Sequence, residues 1–142
     1  YFYRAELKNT TNTARGDKLK GKNRIQLQVA LGGNNSNNGA FVTAPIQCDG
    51  TKTVTVSFTA ATNRAISANY WIGVTDNGPI TSDWLRDINK ISPHAEGLIP
   101  RSDNVSHSHT FTVTNGQRIM VKVSNTLGEH HLEFADFTYT VE

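Results

Sequence analysis

The feature that most constrains this chain is a period of two. From Thr53 to Ala60 every second residue is apolar: Val54, Val56, Phe58 and Ala60 alternate with Thr53, Thr55, Ser57 and Thr59. Successive side chains of an extended backbone point to opposite faces, so one set meets a core and the other meets water. That is a half-buried β-strand. The same alternation runs through Ile25, Leu27, Val29 and Leu31, spaced by Gln26, Gln28 and Ala30. It recurs at Phe111 and Val113 between Thr110, Thr112 and Thr114, and again at Ile119, Val121 and Val123. Asn115-Gly116 separates these last two runs, and its tolerance of positive φ predicts a hairpin with a type I′ turn.

The C-terminal run changes phase. Leu132 and Phe134 share one parity, whereas Phe137, Tyr139 and Val141 share the other. A β-bulge at Ala135-Asp136 would keep all five on one face. Further strands are expected at Phe2–Lys8, Ala40–Ile46 and Tyr70–Thr75. One segment has helical spacing instead: Trp84, Leu85, Ile88 and Ile91 follow the N-capping types Thr81-Ser82-Asp83 and precede Ser92-Pro93. A short helix over residues 82–91 is expected there, covering an open end of the fold. Residues 92–106, broken by Pro93, Gly97 and Pro100, read as irregular.

About eight short strands, one short helix and no internal repeat specify an all-β, antiparallel β-sandwich of jelly-roll type, with residues 1–142 as a single domain. The immunoglobulin Cys…Trp…Cys spacing is missing. Cys48 is the one cysteine, so no internal disulfide can form, and it reads as a small buried side chain. No apolar run is long enough to cross a bilayer as a helix, and no heptad persists.

Charge is uneven. Residues 1–24 hold seven of the 14 basic residues against Glu6 and Asp17, which leaves +5 there and −3 in the remainder. No aromatic residue lies between Lys8 and Lys22, so this stretch has no base-stacking platform, and no nucleic-acid partner is expected. A solvated loop is its plain reading, and Arg15-Gly16-Asp17 within it is a tripeptide of low specificity. The chain begins at Tyr1 and carries Asn-X-Ser/Thr sequons at Asn9, Asn34 and Asn104. The expectation is a processed product or excised domain, secreted or at an extracellular surface.

Two constellations could bear function. His107 and His109 lie on one face of a strand, about 7 Å apart from two residues of rise, a spacing that can offer two imidazoles to one divalent metal. His130, His131, Glu129 or Glu133 could complete such a site, as could a threefold axis. The second constellation suits sugars, which need an aromatic face for the apolar side of the ring and amides or carboxylates for the hydroxyls. Tyr70 and Trp71 point to opposite faces of one strand, Asp76-Asn77 follow, and Asp83-Trp84 come seven residues later. Asn35 and Asn37, in a loop dense in amides, are a secondary candidate. No Gly-x-Ser-x-Gly elbow or phosphate-binding glycine loop is present, and no enzymatic activity is expected.

The expected function is therefore non-enzymatic carbohydrate binding by a lectin-like sandwich, with a glycan or glycoconjugate as partner and cell-surface contact and homo-oligomerisation as associated properties. The alternatives are a head domain of a viral or phage fibre or bacterial appendage, and a membrane-active toxin or defence protein.

Overall fold

The computed structural model describes residues 2–8, 19, 22–28, 38–62, 68–76, 81–86, 94–99, 105–124 and 131–142. Within them the chain forms β1 (Phe2–Tyr3), β2 (Ala5–Lys8), β3 (Arg24–Gln28), β4 (Ala40–Val42), β5 (Lys52–Thr62), β6 (Ala68–Thr75), α1 (Ser82–Arg86), β7 (His94–Ile99), β8 (Val105–Val113), β9 (Arg118–Ser124) and β10 (His131–Val141). A front sheet has the order β1-β4-β9-β6-β7 and a back sheet the order β2-β3-β10-β5-β8, with every pairing antiparallel. Among the described strands, only β2–β3 and β6–β7 are consecutive strands of one sheet. Every other connection passes between sheets, which is jelly-roll wiring.

The alternation seen in the sequence places the core. Val54, Val56, Phe58, Phe111, Val113 and Phe134 of the back sheet meet Tyr70, Ile72, Val74, Ile119, Val121 and Val123 of the front sheet, all buried. Each such side chain withdrawn from water contributes about 1.5–3 kcal/mol before conformational entropy is offset. Aromatic rings join the two sheets edge to face, Phe58 5.4 Å from Tyr70 and Phe41 6.1 Å from Phe134, while within the back sheet Phe58 lies 5.1 Å from Phe134. Thr53, Thr55, Ser57 and Thr59 of β5 and the serines and threonines of β8 form the opposite, solvent-facing side of the back sheet. There Thr55 pairs with Thr110, Ser57 with Ser108 and Thr59 with Ser106.

The expected bulge is present. The β10–β5 register shifts between Ala135 and Thr138, and Asp136 adopts φ 56°. Beyond it Phe137 and Val141 pack against the core, while Tyr139 stays 39% exposed at the rim.

Several expectations are corrected. Asn115-Gly116 does not close a hairpin, because β8 and β9 lie in different sheets. Only Gly116 has positive φ (93°), and Gln117 N donates to Thr114 O at 3.2 Å, so the turn lacks the type I′ signature. Alternation reports which residues face the core, and both sheets face the same core, so it could not distinguish a hairpin from a crossing. The expected strand Phe2–Lys8 is split by Arg4, whose φ of 47° carries the chain from front sheet to back. The strand expected over Ala40–Ile46 ends at Val42. Residues 94–99 are a strand and not irregular: β7 pairs with β6 from Gly73↔His94 to Ala68↔Ile99. Cys48 is half-buried, with its Sγ 3.6 Å from Gly50 O.

The helix is formed at Ser82–Arg86, and residues 87–91 lie outside the described residues. It does not plug an open end. Leu85 belongs to a cluster with Ala40, Val42, Trp71 and Met120, so α1 lies on the outer face of the front sheet.

Candidate functional site

The outer face of the front sheet gathers side chains from three strands. Trp71 of β6 stands opposite Lys122 of β9 on one side and Glu96 of β7 on the other. One step along, Asn69 of β6 stands opposite Leu98 of β7. Directly opposed residues share a face with β-carbons about 4.5–5.5 Å apart. Asn69, Trp71, Glu96 and Leu98 therefore make a two-by-two patch on the β6–β7 ladder. Glu96 is exposed, Asn69 is half-buried and Leu98 is 54% exposed. Trp71 is only 7% exposed, so it forms the floor of the patch and is no open platform. Lys122 is fully buried beside it, its ammonium donating to Asn38 O at 2.9 Å. A lysine in that position must keep its charge paired with acceptors, because burial of an uncompensated ammonium is costly.

The nominated residues divide. Trp71 and the helix bearing Asp83 and Trp84 come to the same outer face. Asp83 is exposed and 3.4 Å from Arg86 Nη1, and the Trp84 side chain lies outside the described residues. Asp76 is exposed just past β6, accepting from Gln117 Nε2 at 3.4 Å. Asn77, Asn35 and Asn37 lie outside the described residues. Tyr70 goes the other way, into the core with no exposure. Sequence reasoning missed Asn69, Glu96, Leu98 and Lys122. Their proximity arises from strand pairing at long sequence separation. In β7 the outward-facing Leu98 sits beside the buried Ile99 and hides the alternation.

The histidine pair faces inward as well. His107 and His109 share the core-facing side of β8, where both meet the Tyr70 hydroxyl: His107 Nδ1 at 3.0 Å and His109 Nε2 at 2.6 Å. Phe58 stacks on both imidazoles, with centroids 5.4 and 6.2 Å away. Burial holds both imidazoles below the ordinary histidine range, and the charge of His109 lowers His107 further. Burial raises the Tyr70 phenol well above its usual value. Both ring nitrogens that converge here are taken by Tyr70. Among the described residues, no group of three or more His, Cys, Asp or Glu side chains could hold a metal. Residues 129 and 130 and the His131 side chain lie outside that description. We read the cluster as a hydrogen-bonded one.

No protein-family model and no curated protein matches the sequence. Solved structures do match the fold. The K1 adhesin domain of Lys-gingipain from Porphyromonas gingivalis W83 is similar over 96% of this chain and 82% of its own, with TM-score 0.60 and 11% identity. The CBM22-1 xylan-binding domain of Paenibacillus barcinonensis Xyn10C is similar over 96% and 81%, with TM-score 0.58 and 12% identity. An exo-β-agarase matches 99% of this chain but only 23% of its own length, with TM-score 0.62 and 13% identity. At such identities the likeness establishes a shared β-sandwich architecture.

Proposed function

We propose that this domain is an extracellular, non-enzymatic carbohydrate-binding module that takes a glycan across the β6–β7 patch on the outer face of its front sheet. The observation that carries this reading is the exposed Leu98 set beside Asn69 and Glu96 on the β6–β7 ladder, over a floor of buried Trp71. An apolar surface flanked by an amide and a carboxylate suits a sugar ring, whose C–H face needs apolar contact and whose hydroxyls need hydrogen-bond partners. The kinship of fold with a xylan-binding domain and an adhesin domain supports the same reading by analogy of architecture.

Sites of this kind give modest affinity, since a shallow sheet face buries little of its ligand. The test is a glycan array probed with the folded domain, followed by the double variant Glu96→Ala/Leu98→Ala. Both side chains are exposed, so the variant should keep its fold. Loss of array signal in that variant is expected. An array with no bound glycan, or one whose signal the variant leaves intact, contradicts the assignment.

A further inference from the structure

We propose that Tyr70, His107 and His109 form a pH-dependent latch that fastens β8 to β6 across one open side of the sandwich near neutral pH and releases it in acid. The inference stands apart from the carbohydrate reading, since none of the three side chains lies on the proposed glycan face.

The placement is specific. β8 is the outer strand of the back sheet, and β7 is the outer strand of the front sheet on the side next to β6. Gly97 of β7 lies opposite Tyr70, and a β-carbon there would run into the Tyr70 ring and hydroxyl. The missing side chain leaves room for Tyr70 to extend past β7 to the histidines of β8. Its hydroxyl is a direct polar link between edge strand β8 and the front sheet.

Proton counting makes the link conditional. A phenol has one hydrogen to donate, and two imidazole nitrogens face it. The Tyr70 O–H must donate to one ring while accepting an N–H from the other. That arrangement requires at least one neutral imidazole. When both rings are protonated, both nitrogens become donors and the Tyr70 hydrogen loses its acceptor. His107 Nε2 is also buried without a hydrogen-bond partner, so an imidazolium there would bury a second N–H with no acceptor.

Among the described residues, the surroundings offer little compensation. β5 presents the Phe58 ring, β7 presents Gly97, and β8 itself adds Phe111, whose ring lies 6.3 Å from His109. Tyr70 is the titratable group from β6. From β10, Asp136 shares with His107 a cavity of about 300 Å³ that Ser57, Thr59, Ser106 and Ser108 also line. That carboxylate is 3.1 Å from Lys22 Nζ. The sign follows from the lowered histidines. The unfolded chain binds protons more readily than the folded one, so the contribution is complete above the ordinary histidine pKa of about 6.5 and is lost as pH falls.

Amide hydrogen exchange, corrected for intrinsic rates, tests the latch in the wild-type domain and in Tyr70→Phe, which keeps the ring beside Gly97 and removes only the hydroxyl. Between about pH 8 and pH 5, wild-type protection in β8 should fall roughly tenfold or more while the β6–β9 ladder holds. Tyr70→Phe should show reduced β8 protection already at the higher pH and a flatter pH dependence. Wild-type β8 protection that does not change, or a Tyr70→Phe protein that loses protection as steeply as wild type, overturns the proposal. If Tyr70→Phe does not fold, nuclear magnetic resonance titration of the wild-type imidazoles decides. Independent protonation of both rings at ordinary values, with no change at the Tyr70 ring, overturns it equally.

Discussion

Gly97 stands directly opposite Tyr70 in the β6–β7 ladder, and the Tyr70 ring occupies the space that a β-carbon at position 97 would need. This glycine is not required by its backbone angles, since it is not among the positive-φ glycines. It is required by the close approach of an aromatic ring. Gly97→Ala should therefore destabilise the domain by about 1–3 kcal/mol, the usual cost of overpacking a filled interior. Urea denaturation measures this, and an unchanged midpoint would contradict the position assigned to Tyr70.

The bulge in β10 makes an opposite prediction. Asp136 holds φ 56°, a conformation that costs a side-chain-bearing residue about 1–2 kcal/mol and glycine almost nothing. Its ion pair with Lys22 is exposed on both sides and adds little. Asp136→Gly should leave the thermal midpoint unchanged or raise it. A β-branched residue tolerates this region least, so Asp136→Val should lower the midpoint by the equivalent of about 1–2 kcal/mol. Equal stability of the two variants would show that the bulge is not strained.

Arg24 and Glu133 form an ion pair on the outer face of the back sheet, with Nε 3.1 Å from Oε2 and both side chains nearly inaccessible. Arg24 Nη1 also donates to Lys22 O at 3.2 Å. Removing one charge leaves the other buried, so Glu133→Ala should cost about 3–5 kcal/mol. Replacing both, as Arg24→Met with Glu133→Leu, should recover most of that loss. A double variant no more stable than Glu133→Ala would show that the pair does more than neutralise itself.

Alkaline pH probes Tyr70 from the other side. Burial raises its phenol, so the folded state resists ionisation that the unfolded chain undergoes near pH 10. That contribution is complete below about pH 10 and is lost as pH rises through the folded value. Denaturation profiles should show wild-type stability falling above that pH more steeply than that of Tyr70→Phe. Parallel profiles would contradict the burial of the hydroxyl.

The architecture was legible in the sequence because alternation is a local signal: Val54, Val56 and Phe58 face the core in β5 as their spacing requires. The bulge was legible for the same reason, since a phase change between Phe134 and Phe137 needs one extra residue. Partnership was not legible. Nothing local tells Phe111 and Ile119 that they belong to opposite sheets, or tells Glu96 that it will stand beside Trp71. Tyr70 and Trp71 were separated correctly into two faces, but the outward one proved to be covered by the cluster that includes Leu85. The histidine pair was placed on one face of one strand, and only the tertiary fold turned that face inward.

The central claim is that a glycan lies across β6 and β7, and chemical-shift mapping tests it most directly. A ¹⁵N-labelled domain titrated with the best array ligand should show its largest amide shifts at Asn69, Trp71, Glu96 and Leu98, together with a shift of the Trp71 indole N–H. Shifts confined to the solvent face of β5 and β8, or no shifts at saturating ligand, would contradict the account.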